Sequence, residues 1–223
     1  MSKLKATENN FLLVQKKIID ISSNNNLTVI PLKDFNNSKS RLKEILSDTK
    51  RVELVKKMLE KVISGLNFKC VVVSNSDKVS EFASQLGVDS IVFDRVGLNK
   101  TADYIYENLE LKYISRLTVV HADLPFAEVA SNPLNLVQTL DNNKVLIYPD
   151  QSESGTTVLS VPAGLKWKFK YGKNSFIKHI DQAHNLNLKA EIVKNFNWSF
   201  DVDTKSDLIK YYETTDTASQ LET

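Results

Sequence analysis

Two acidic signatures stand far apart in the chain: His121-Ala-Asp123-Leu-Pro125, directly after the apolar run Leu117 to Val120, and Asp201-Val-Asp203 near the C-terminus. Each carboxylate falls where an expected strand runs out, and ligands of open α/β sheets bind outside the carboxyl ends of the strands. A parallel sheet that brings Asp123 and Asp201 together would offer the one or two protein oxygens that Mg²⁺ takes, with phosphates and water filling its other positions. The chemistry implied is metal-assisted handling of phosphates, as in nucleotidyl transfer. Asp201 and Asp203, alternating along a short strand, would face the same way and make Asp203 a further candidate ligand. Simpler roles fit the same residue types: an Asx-turn at Asp123 before Pro125, a helix cap at Asp203, and a hydrogen-bonded core histidine at His121.

A second group of residues is cationic. Between Lys33 and Arg41 the chain carries Lys33, Ser38, Lys39, Ser40 and Arg41 but no glycine. Phosphate loops of the Walker and Rossmann kinds need glycine so that the backbone can approach the phosphates closely. Here lysine and arginine side chains would have to do that work; the same cluster also suits a solvated surface loop. Two glycine-punctuated segments, Ser154-Gly155-Thr156-Thr157 and Tyr171-Gly172-Lys173-Asn174-Ser175, offer amides and hydroxyls for an anion, the second at a helix start. Each suits an ordinary turn as well.

These residues need a scaffold, and the chain has enough material for one. With 223 residues, 42% of them hydrophobic, it can bury one α/β core. The balance of 29 basic and 27 acidic residues leaves a net charge of +2 and no like-charge block suited to nucleic acid or a membrane surface. The single cysteine, Cys70, precludes an internal disulfide, and with Val71 to Val73 beside it reads as a buried strand residue. Neither a membrane span of about 20 apolar residues nor a signal-peptide core is visible, so a soluble cytoplasmic protein is expected.

Apolar spacing predicts strands at 27–31, 69–74, 89–93, 116–121, 144–149, 157–161 and 190–195. Helices are expected at 48–66, 77–86, 100–112, 133–140, 174–186 and 205–212. The alternation implies a mostly parallel sheet with one or two antiparallel additions. Residues 1–26 read as an N-terminal extension, with an amphipathic helix from Phe11 to Ile21 and a polar linker. The domain proper spans 27–213, and 214–223 read as a flexible tail.

Taken together the segments resemble the 2-phospho-L-lactate guanylyltransferase family of deazaflavin-coenzyme biosynthesis, including its phosphoenolpyruvate-using relatives. The matching pieces are Val29-Ile-Pro-Leu-Lys33, Ser38-Lys-Ser-Arg-Leu42, Val72-Val-Ser74 with Asp77, Asp94 with Gly97-Leu-Asn99, His121-Ala-Asp-Leu-Pro125, Gly155-Thr156, Gly172 with Ser175-Phe176, and Asp201-Val-Asp-Thr204. They occur in family order across 27–212. The resemblance implies a single-domain, three-layer nucleotidyltransferase fold like that of nucleotide-diphospho-sugar transferases. It also implies transfer of GMP from GTP to a small phosphorylated acid with release of pyrophosphate, and a homodimer.

Carried over by motif, Asp123 and Asp201 would hold Mg²⁺, and Lys33, Ser38, Lys39 and Arg41 would face the GTP phosphates. Asp94, Gly97 and Asn99 would lie on the nucleotide side, and Thr156, Gly172 and Ser175 would grip the acceptor. The family often has Asn where this chain has Thr157, and Gly-Pro-Gly-Ser where it has Gly172-Lys-Asn-Ser175. Both departures fall on the acceptor side, so 2-phospholactate, phosphoenolpyruvate and 3-phosphoglycerate all stay open. Rival readings are a related nucleotidyltransferase with another phosphorylated acceptor and a non-catalytic nucleotide-sensing module.

Overall fold

The structure is a computed structural model and describes residues 3–6, 25–66, 69–93, 97–109, 111–128, 132, 134–137 and 139–221. The expected helix from Phe11 to Ile21 and the candidate Asp94 lie outside the described residues. Strands are β1 (Lys3–Ala6), β2 (Asn26–Pro31), β3 (Val71–Ser74), β4 (Asp89–Phe93), β5 (Arg116–Val120), β6 (Lys144–Pro149), β7 (Thr156–Pro162) and β8 (Lys189–Ile192). Helices are α1 (Asp48–Leu66), α2 (Asp77–Gln85), α3 (Leu98–Glu107), α4 (Leu134–Val137), α5 (Ser175–Asn185), α6 (Phe196–Ser199) and α7 (Lys205–Leu221).

The strands form one sheet in the order β1-β4-β3-β2-β5-β7-β6-β8. Only β7 runs against its neighbours β5 and β6; the other described pairs are parallel. Register places Val29 beside both Val71 and Val119, and Val119 beside Leu159. In β3 Val71 and Val73 turn to one face and Val72 to the other, so a continuous apolar run serves a sheet buried on both sides. On the first face lie Ala102 and Ile105 of α3 with Phe176 and Ala183 of α5. On the second lie Val55, Met58, Leu59 and Val62 of α1, Val79 of α2, Trp198 of α6 and Leu208 of α7. The three-layer expectation is met.

Several boundaries differ from expectation for local reasons. The strand expected through Asp201 to Asp203 is an irregular link between α6 and α7. Its Asp-Val-Asp alternation mimics a strand, but Val202 is held under the sheet with Phe200 and Trp198 rather than paired in a ladder. The short helix α6 was not expected; the Asn195 side chain caps it by accepting from Trp198 N–H at 3.2 Å. Helix α7 continues to Leu221, past the end expected near 212, and takes in most of the stretch read as a flexible tail. Lys3–Ala6 of the extension lies along β4, with Leu4 beside Ile91.

Candidate active site

The cationic segment after β2 is folded into two 3-10 turns, Phe35–Asn37 and Ser40–Leu42, with Lys39 between them in the left-handed region at φ 51°. Asp34 accepts the Asn36 N–H at 2.9 Å and the Ser76 hydroxyl at 2.6 Å. Arg51 of α1, only 1% exposed, donates from Nη1 to the carbonyls of Asn36 at 2.9 Å and Ser38 at 2.6 Å. A buried guanidinium thus fixes the loop where a phosphate loop would use glycines. Sequence reasoning passed over Arg51, although it sits four residues before Val55 on the buried stripe of α1.

The loop delivers Lys39 between the two acidic signatures. Its ammonium donates to Asp123 and, at 2.7 Å, to Oδ1 of Asp203. Burial works against the charge on Lys39, but the carboxylates of Asp123 and then Asp203 outweigh it and raise its pKa. Burial likewise works against the charge on Asp123, yet Lys39 and then His121 hold its carboxyl below the usual range. Asp201 is pushed up to about 7, first by burial and then by the negative charges of Asp123 and Asp203. Lys39, bonded at once to Asp123 and Asp203, shows the fold gathering both signatures. Helix-cap duty falls to Asp207, whose Oδ2 accepts the N–H groups of Asp203 at 3.1 Å and Thr204 at 2.7 Å, leaving the Asp203 carboxylate for Lys39.

The residues fit a divalent cation. Asp123 Oδ1 is buried without a hydrogen-bond partner among the described residues, and the carboxyl groups of Asp201 and Asp203 act on the same place. Among the described residues no three or more His, Cys, Asp or Glu side chains are assembled for a metal by the protein alone. A cation here would therefore draw other oxygens from phosphates and water, the habit of Mg²⁺. His121 Nδ1 stands 3.8 Å from Asp123 Oδ1, and burial first of all lowers its pKa, which favours the neutral ring.

Beside this cluster, at the carboxyl ends of β2, β3 and β5, lies a cavity of about 440 Å³. Lys33, Ser38, Lys39, Gly97, Asp123 and Asp203 all line it. So do Ser74, Asn75 and Thr101, which sequence reasoning did not single out as ligands. Arg41, largely exposed and not among the lining residues, has Nη1 3.4 Å from Asp203 Oδ2. Asn99, beside the lining residues Leu98 and Thr101, donates from its carboxamide to Tyr171 O at 3.1 Å and accepts from Tyr171 N–H at 2.7 Å.

The acceptor-side candidates form a separate group outside the cavity lining. Asp150 Oδ2 accepts the Gly155 N–H at 2.7 Å, and a Cβ at Gly155 would stand 2.5 Å from that oxygen, so a side chain before Thr156 would have to displace the Asp150 carboxylate. Gly172 has φ 110°, a conformation open to glycine, and leads into α5 at Ser175. The Phe176 N–H donates to Ser154 O at 3.3 Å, joining the two glycine-punctuated segments. Thr156 and Ser175 are both buried, and Thr157 is occupied by Trp198 O at 2.6 Å and Tyr148 O at 3.2 Å.

A mixed sheet between two helical layers, with Lys39, Asp123 and Asp203 gathered beyond its carboxyl-end edge, is a nucleotidyltransferase-type fold. Two solved structures share the fold. A protein assigned to the nucleotide-diphospho-sugar transferases from Desulfovibrio desulfuricans G20 superposes with a TM-score of 0.62 at 17% identity, over 85% of this chain and 87% of that one. The 4-diphosphocytidyl-2C-methyl-D-erythritol synthase of Anaerococcus prevotii superposes with a TM-score of 0.57 at 12% identity, over 90% and 99%.

The chain belongs to the family described as guanylyl transferase CofC like, whose model matches residues 26–218. It is similar to the 2-phospho-L-lactate guanylyltransferase of Methanocaldococcus vulcanius, 30% identical over 184 residues and 82% of each chain. It is also similar to that of Methanosphaera stadtmanae, 29% identical over 192 residues, 82% of this chain and 81% of the relative. The phosphoenolpyruvate guanylyltransferase of Rubrobacter xylanophilus is 28% identical over 186 residues, 82% of this chain and 91% of the relative. Among the described residues no helix is long and apolar enough to cross a membrane.

Proposed function

We propose that this enzyme transfers GMP from GTP to the phosphate of 2-phospho-L-lactate or phosphoenolpyruvate, releasing pyrophosphate, in deazaflavin coenzyme biosynthesis. It would act in the cytoplasm as a homodimer. The observation that carries the reading is Lys39, its ammonium donating to Asp123 and Asp203 at the edge of a cavity also lined by Lys33.

An acceptor phosphate has a second pKa near 6 and is largely a dianion at pH 7, so it attacks without a general base. A neutral His121 is consistent with that. The obstacle is repulsion between the acceptor and the triphosphate. Lys33, Lys39 and Arg41 reduce it by balancing phosphate charge, and the fixed loop holds the α-phosphorus in line with the attacking oxygen. Asp123 and Asp201, with Asp203 beside them, would hold Mg²⁺, which when bound neutralises triphosphate charge and stabilises the leaving pyrophosphate. Thr156, Gly172 and Ser175 would bind the acceptor.

The test is a pyrophosphate-release assay crossing four nucleoside triphosphates with 2-phospholactate, phosphoenolpyruvate and 3-phosphoglycerate. Release is expected with GTP and Mg²⁺ only when a phosphorylated acid is present. No turnover with any of the three acids would overturn the reading.

A further inference from the structure

His179 has no part in the chemistry described above, yet it is fully buried directly behind Thr156. It lies on α5 one helical turn beyond Ser175, so the two share a helix face. Nε2 of His179 accepts the backbone N–H of Lys170 at 3.2 Å. A backbone N–H can only donate, so Nε2 carries the lone pair. Burial pushes the ring's pKa down to about 3, which keeps it neutral with a single proton. That proton must sit on Nδ1. The Nδ1–H then donates to Oγ1 of Thr156, 3.0 Å away.

This fixes the Thr156 hydroxyl. One lone pair is occupied by His179, and the hydroxyl's own proton remains to be donated. Among the described residues no other hydrogen bond uses Thr156 Oγ1. With the other tautomer, Nδ1 would take the hydroxyl proton and Thr156 would turn a lone pair toward its surroundings, repelling an anion. Packing holds the ring in place: Trp167 stacks on it with centroids 6.2 Å apart, and Tyr171 meets it in an edge arrangement at 5.1 Å.

We propose that His179 is a positioning residue that holds the Thr156 hydroxyl as a hydrogen-bond donor toward an anionic oxygen of the phosphorylated acid. This deepens, and rests on, the guanylyltransferase reading above.

Two measurements test it. In the full-length protein labelled with ¹⁵N, long-range ¹H–¹⁵N spectra resolve its 3 histidines, and His179 is expected as the Nδ1–H tautomer. In steady-state assays His179→Phe should raise the acceptor KM on the order of tenfold or more while leaving the GTP KM unchanged, as for loss of a hydrogen bond to a charged group. Thr156→Val should act similarly, and the double variant should be no worse than Thr156→Val alone. His179→Asn keeps a donor near the Nδ1 position and should retain a near-wild-type acceptor KM, which keeps the test open if His179→Phe fails to fold. An Nε2–H tautomer, an unchanged acceptor KM in His179→Phe, or equal rises in both KM values would overturn the inference while wild-type turnover stands. Absence of wild-type turnover with every acceptor would instead remove the reading beneath it.

Discussion

Asn99 and Tyr171 are joined by a reciprocal pair of hydrogen bonds, the carboxamide of one closing on the backbone N–H and C=O of the other across 72 positions of sequence. Asn99 stands between Leu98 and Thr101, which line the cavity, and Tyr171 directly precedes Gly172 on the acceptor side. The start of α3 and the 170–172 segment are therefore one mechanical unit.

Asn99→Ala should accordingly raise the KM for both GTP and the phosphorylated acid, on the order of tenfold each, because it removes two hydrogen bonds that set the spacing between the two groups of residues. Ser175→Ala, lacking that link, should raise only the acceptor KM. Measuring both constants for both variants decides the matter. An effect of Asn99→Ala on melting temperature alone would reduce the pair to a structural tie.

Lys39 is expected to be indispensable for a different reason. Its side chain is 6% exposed and balances two carboxylates at once. Lys39→Met should lower kcat/KM for GTP by about two to three decades, as when a preorganised electrostatic group is removed. Lys39→Arg should not restore it, since a planar guanidinium does not fit a slot shaped for a compact ammonium. Kinetics with varied GTP, beside a melting curve for each variant, would show whether activity falls faster than stability. Near-normal turnover in Lys39→Met would place the phosphate-binding work elsewhere.

The scaffold was legible in the sequence wherever periodicity was strong. The stripe Val55, Met58, Leu59 and Val62 defines α1, whose bounds match those expected. Asp123 was legible as a candidate because it directly follows a recognisable strand, whereas the meeting of Lys39 with Asp123 and Asp203 joins segments 84 and 164 positions apart and shows only in the fold. What could not be read locally depends on distant partners. Nothing near Asp203 shows that Asp207 takes over the cap, and nothing near Arg51 shows that its guanidinium closes on the Asn36 and Ser38 carbonyls. His179 falls inside the helix expected at 174–186, and nothing in its immediate neighbours singles it out. Its role emerges only when Lys170 and Thr156 arrive from elsewhere in the chain.

Burial of His179 also has a consequence for stability. Its pKa is lowered to about 3 from the ordinary 6.5, first by burial and then by His121 and nearby lysines. Below pH 6.5 the unfolded chain gains a proton there that the folded chain refuses until about pH 3. The stability this contributes is thus fully present above pH 6.5 and is lost as pH falls, by up to about 1.4 kcal/mol per unit within that window. The stability difference between wild type and His179→Asn should therefore shrink on acidification from pH 6.5 to 4. Denaturant melts at a series of pH values would show it; a difference independent of pH would mean that His179 titrates normally in the folded protein.

The two acidic signatures make the sharpest claim. If Asp123 and Asp201 share a cation beside the triphosphate, changing either to Asn keeps the shape and removes the charge. Transition-state stabilisation should then fall by about 4 kcal/mol, on the order of three decades in rate. Stability should respond in the opposite sense at the two positions. Asp201 is held near pH 7 by burial and by the charges of Asp123 and Asp203, so Asp201→Asn relieves repulsion and should melt no lower than wild type at pH 8 in EDTA. Asp123 is stabilised in its charged form by Lys39, so Asp123→Asn should melt somewhat lower, with Asp203 still holding the ammonium. The double variant should be scarcely slower than the slower single one, because groups that act as a unit are not additive. Turn-forming aspartates would behave differently, with normal turnover and any damage confined to melting temperature. Near-wild-type rates in both single variants would end the shared-cation model.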